Sequence, residues 1–217
     1  FLLWQARTGH YYNVAPAAMP ILWGAIQSIW PGSGGLFTLQ VALFTGGVWA
    51  IACALFSSTG LRVLATILAF LGTPAFLIVT HLWTDAIMIA CLTAGCGLTV
   101  LGDLRRSRAA LFSAVPLFVL GGMIRHNAAP ALVPLLTWWS SIYIRQYPGH
   151  WRPPIWTLAL GAIAAAGVIL GFSRVIDRFF VNKPVSTFAA VQVFDLAGIS
   201  VATSEMLVPD FLLPEGF

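Results

Sequence analysis

The 217 residues are 59% hydrophobic and only 8% charged, with a mean hydropathy of +0.89 and a net charge of +4. That balance excludes a soluble globular domain and places the chain in lipid. The eleven basic residues gather at the ends of apolar runs and form no aromatic-interleaved stripe, which excludes a nucleic-acid partner. Apolar runs of about 20 residues recur, as helices crossing a hydrocarbon core of about 30 Å require, and the alternating ten-residue segments of a membrane barrel do not. The expected class is an all-α polytopic membrane protein with about six transmembrane helices, interfacial helices and an extracytoplasmic tail.

The chain starts at Phe1 without methionine, basic n-region or cleavage site and stops at Phe217 in a polar, proline-containing stretch, so it is expected to be a piece of a longer protein. Residues 1–13, with Arg7, His10, Tyr11, Tyr12 and Asn13, are too polar for lipid and read as a loop with interfacial aromatics. Residues 16–30 are apolar apart from Gln27 and Ser28 and suit a short helix in the interface, ended by Pro31-Gly32-Ser33-Gly34-Gly35. Together residues 1–35 make an extracytoplasmic segment.

Six apolar runs follow, at 36–56, 61–80, 86–102, 109–124, 128–144 and 155–172, making a transmembrane bundle over residues 36–173. Pro74 is expected to kink or break the second run, and Pro130 sits near the first turn of the fifth, where a missing amide hydrogen matters least. Cys53, Cys91 and Cys96 lie inside apolar runs without metal-type spacing and read as packing residues. With strict alternation, one set of short loops holds Arg62, Arg105, Arg106, Arg108, Arg145 and Arg152, whereas the opposite short loops hold only Arg125. Arginine-rich short loops face the cytoplasm. Residues 1–35, Asp85, Arg125 and the tail then share the outer face.

Past the sixth run, Arg174, Asp177 and Arg178 fall opposite Val175, Ile176, Phe179 and Phe180, the pattern of an interfacial amphipathic helix. Residues 186–196 suit another helix. The acids Asp195, Glu205, Asp210 and Glu215 keep the remainder of the 174–217 segment out of lipid.

Two polar knots break the apolar pattern. The first is His81-Leu82-Trp83-Thr84-Asp85, whose aspartate is the first acidic residue of the chain. If Thr84 caps the third run, Asp85 lies in its first turn and gains about 0.3 to 1 kcal/mol from the helix dipole. Alternatively Asp85 is a general base or a cation ligand at the mouth of a cavity. The second knot is Arg125-His126-Asn127. Arg125 either pairs with Asp85 or snorkels, or it offers its fork of donors to a phosphate, with His126 as a second phosphate contact. His81, four residues before Asp85, faces the same way if the helix is continuous. No nucleophile triad, Cys/His metal set, phosphate loop or dinucleotide fingerprint is present in the sequence.

The aromatic loop and Pro16 of residues 5–23, Trp83-Thr84-Asp85 opening one helix and Arg125-His126-Asn127 opening another resemble the GT-C membrane glycosyltransferases, most closely the bacterial members that use polyprenyl-phosphate sugars. The resemblance implies a bacterial inner-membrane enzyme with its site facing the periplasm. It implies Asp85 as the family's second acid and Arg125 as a carrier-phosphate contact; His126, His81 and Tyr12, read from the residues themselves, are the further candidate substrate contacts. A divalent cation is an open question, with Asp85 its ligand if one binds. Where the family carries its first acid this chain has Asn13, which can orient a hydroxyl but cannot take its proton. The expected function is sugar transfer from a lipid-phosphate carrier to an acceptor on the outer face. A transporter or flippase, and a noncatalytic membrane subunit, are the alternatives.

Overall fold

The computed structural model describes residues 2–12, 16–72, 84–125, 128–146 and 153–183. Among these, eight helices and two very short strands follow in the order α1 (Leu2–Thr8), β1 (Tyr11–Tyr12), α2 (Ala18–Ile29), α3 (Gly34–Leu55), α4 (Thr59–Leu71), α5 (Thr84–Leu104), α6 (Arg108–Ile124), α7 (Ala129–Arg145), α8 (Ile155–Phe180) and β2 (Val181–Lys183). The all-α class holds. Three helices, α3, α5 and α8, are long and apolar enough to cross a membrane, at 22, 21 and 26 residues. At a rise of about 1.5 Å per residue the 17-residue α6 and α7 reach roughly 25 Å, and the 13 described residues of α4 reach less. Pro74, the rest of the second run, and residues 184–217 lie outside the described residues.

Helix α5 is the axis of the bundle, with α3 on one side and α6 on the other. Small residues make this possible. A Cβ at Gly47 of α3 would sit 2.5 Å from the Thr93 carbonyl oxygen, and one at Gly97 of α5 would sit 2.5 Å from that of Gly47. The two backbones therefore touch, the close approach by which helices associate in lipid, where apolar side chains gain nothing by leaving the solvent. On the other flank, Phe118 of α6 lies over Gly95, Leu111 over Gly102, and Leu92 over Gly121, so α6 runs antiparallel to α5. Half of the apolar stretch of α5 is buried, against 17% of that of α8. Helix α8 buries only the stripe Ala162, Ala166, Ile169 and Ser173 and turns its remaining faces outward.

Three apolar clusters hold these helices together. Leu92, Phe118, Leu132, Leu136 and Ile169 join α5, α6, α7 and α8. Met19, Trp23, Leu36, Ile87, Cys91 and Ile124 seat α2 across the ends of α3, α5 and α6. Phe44 and Ala90 form a smaller contact between α3 and α5, with Phe70 of α4 against it. The three cysteines are unpaired thiols, Cys91 buried and the others half-buried, and Cys91 and Cys96 lie within this packing.

Two local expectations change. Residues 2–8, read as part of a loop, form α1. Leu2, Leu3 and Ala6 pack against the cluster around Met19 and Trp23, and that burial makes up for a segment too short to be helical alone. Trp23 is consequently core, 5% exposed. Beyond residue 173 the chain does not start a separate amphipathic helix. Arg174, Asp177 and Arg178 occupy the last two turns of a continuous α8.

Candidate functional site

Asp85 enters the first turn of α5, where a carboxylate meets the positive end of the helix dipole. Arg125 ends α6 with an extended backbone (φ −142°, ψ 128°), and its carbonyl accepts from the Ala128 amide at 3.1 Å as the chain turns into α7. Pro130 lies in the first turn of α7, where no helical amide is lost. Because α5 and α6 are antiparallel, the start of one and the end of the other meet. Arg125 Nε lies 2.8 Å from Asp85 Oδ1, with the two side chains 34% and 35% exposed.

The alignment of this pair matters as much as its length. The shielded Nε–H does not point at the carboxylate and makes no hydrogen bond among the described residues, so the contact is Coulombic more than directional. Among the described residues neither terminal guanidinium nitrogen of Arg125 has a hydrogen-bond partner. Among the described residues, the face of the fork that suits two oxygens of a phosphate is left open. Ile87 and Ile124, which follow Asp85 and precede Arg125 closely in the chain, belong with Met19 and Trp23 to one buried apolar cluster.

The end of α8 adjoins the same end of the bundle. Ser173 Oγ donates to the Met123 carbonyl at 3.3 Å, one turn before Asp177. Asp177 Oδ1 accepts the Ala17 amide at 2.7 Å, beside an α2 N-terminus that has no side-chain cap of its own. Asn182 Oδ1 accepts the Tyr11 amide at 2.9 Å, and β1 pairs in parallel with β2, Tyr11 opposite Val181 and Tyr12 opposite Lys183. Partners 160 and 171 residues apart thus tie the N-terminal segment to the tip of α8. Sequence reasoning placed Asp177 on an amphipathic face and assigned it no contact. Its only local signal is an acid beyond the end of an apolar run.

Of the residues singled out in the sequence, Asp85 and Arg125 are therefore brought together. Tyr12 is fixed through its backbone pairing with Lys183. Asn13, His81 and His126 lie outside the described residues. Among the described residues no three His, Cys, Asp or Glu side chains converge as metal ligands. Asp85 itself faces a guanidinium, whose charge opposes that of a cation at the same oxygen.

At the other end of α5, Asp103 Oδ2 accepts from Arg145 Nη2 of α7 at 3.3 Å, with the two side chains 42% and 60% exposed. Gln146 Nε2 also donates to the Gly102 carbonyl at 2.8 Å. Comparison with protein-family models, with curated proteins and with solved structures gave no match.

Proposed function

We propose that the chain belongs to an integral-membrane glycosyltransferase with six membrane-crossing helices, which takes a sugar from a polyprenyl-phosphate carrier at the outer face. The observation that carries the reading is the pairing of Asp85 with Arg125 through Nε alone, which leaves both an acid and an open guanidinium fork at one third exposure. The sequence likeness of residues 5–23, 83–85 and 125–127 to GT-C enzymes supports the same reading.

In the proposed reaction the carrier phosphate takes the free edge of Arg125, which loosens the hold of the guanidinium on Asp85. The acceptor hydroxyl oxygen attacks the anomeric carbon, and its proton passes to Asp85. The bond from that carbon to the phosphate oxygen breaks, and the electron pair leaves with the polyprenyl phosphate, whose charge Arg125 stabilises. No metal is needed for the balance. Transfer from a polyprenyl-phosphate sugar by the reconstituted full-length protein tests the reading, and Asp85→Asn should cut turnover by about 100-fold or more.

The same 2.8 Å contact favours a second reading, a clasp that only fastens α5 to α6 in a noncatalytic subunit. The charge-swapped double variant Asp85→Arg with Arg125→Asp separates the two. A clasp regains its stability on swapping, whereas a catalytic pair stays inactive.

A further inference from the structure

At the end of the bundle away from Asp85, α7 and α8 part around an open groove of about 480 Å³. Trp138 and Ile144 of α7 and Ile155 and Leu158 of α8 form its apolar walls, and Ser141 and Arg145 supply its polar groups. Ile155 is 64% exposed, and neighbouring Trp156 and Leu160 are open as well. The groove runs along the flank of a helix that is long and apolar enough to cross a membrane and buries little of itself. Such a surface meets acyl chains in preference to water.

Arg145 stands at the polar end of this groove. Only its Nη2 engages Asp103, so among the described residues Nε and Nη1 remain uncommitted. Among the described residues, the formal charges at this end of the bundle are unbalanced. The described part of this end carries Arg62, Arg105, Arg106, Arg108 and Arg145 against a single acid, Asp103. The last turn of α7 directs its carbonyls here, which opposes an anion, but the first turn of α8 directs its amides here and offsets it. The balance favours an anion. An apolar slot with a guanidinium at its mouth, at the end of a spanning helix, has the chemistry of a phospholipid site and not of a site for a water-soluble phosphate.

We propose that the α7/α8 groove binds an anionic glycerophospholipid, its phosphodiester on Arg145 and one acyl chain along Trp138, Ile155 and Leu158. A zwitterionic lipid fits the slot equally well but gains nothing from the excess of arginines. Each arginine near an anionic head group is worth roughly a fivefold preference. This site is independent of the glycosyltransferase reading and would stand if that reading fell.

The test uses the full chain purified in detergent and offered equimolar dioleoylphosphatidylglycerol and dioleoylphosphatidylcholine, with bound lipid counted by native mass spectrometry. Phosphatidylglycerol should be retained about fivefold over phosphatidylcholine or better. Arg145→Gln should lower the preference about fivefold, and Ser141→Trp, which fills the slot without touching charge, should lower retention of both lipids. Asp103→Asn removes the competing carboxylate and should raise phosphatidylglycerol retention, which keeps the test decisive if Arg145→Gln folds poorly. Equal retention of the two lipids by the unaltered protein would overturn the proposal. So would a preference that Arg145→Gln leaves unchanged, retention that Ser141→Trp leaves unchanged, or inorganic phosphate displacing the lipid at equal concentration.

Discussion

Helix α5 carries one aspartate at each end, and each meets an arginine from a different helix, yet the two pairs are not equivalent. Asp85 lies where the helix dipole favours a negative charge, is one third exposed and sits 2.8 Å from Arg125. Asp103 lies in the last turn, where the dipole disfavours it, and its 3.3 Å contact with Arg145 is more open to solvent. Water and salt screen the second pair more strongly than the first. The first contact can therefore hold a carboxylate and a guanidinium in one shielded place, while the second is loose enough for Arg145 to take another anion, and exposure and place on the helix set the difference.

The change that breaks the comparison most severely removes the arm the pairs share. Gly97→Leu drives a side chain into the Gly47 carbonyl and Ala50, which are backbone and packed core and cannot swing aside. It should cost about 1 to 3 kcal/mol or more and disturb both ends at once, seen as a lowered melting temperature in detergent and weakened contact at both ion pairs. Asp177→Ala comes next. It removes a charge-assisted hydrogen bond to Ala17 and should cost on the order of 1.5 to 3 kcal/mol, with faster hydrogen exchange in α1 and α2 but not at the Asp103 end.

Arg125→Ala strands a one-third-exposed carboxylate and should cost about 1 kcal/mol, at the upper edge of the range for exposed pairs. Arg145→Gln should cost less than about 0.5 kcal/mol. Raising salt to about 1 M sharpens the contrast, because the melting temperature of the Arg145 variant should converge on that of the unaltered protein while the Arg125 variant stays lower.

Much of this architecture is visible in the residues themselves, because long apolar runs bounded by arginine, proline and glycine have few other ways to satisfy their backbones in lipid. The runs at 86–102 and 109–124 lie within one or two residues of α5 and α6. Where α1 is concerned the local signal fails. Arg7 and the polar residues from His10 to Asn13 make this segment read as a loop, and packing against α2 makes residues 2–8 helical. Nor does any periodicity reveal that Asp177 and Asn182 hold Ala17 and Tyr11, since pairing across 160 and 171 residues is a tertiary property. The Asp85–Arg125 contact stands between these cases. Both residues are conspicuous in the sequence, but their meeting depends on the antiparallel fit of Phe118 over Gly95 and Leu92 over Gly121.

The claim that Asp85 and Arg125 form a working site is tested most directly by sugar transfer from a polyprenyl-phosphate donor by the reconstituted Asp85→Asn protein. The account predicts a loss of about 100-fold or more in turnover with folding stability changed by less than about 1 kcal/mol. Turnover equal to that of the unaltered protein would contradict it.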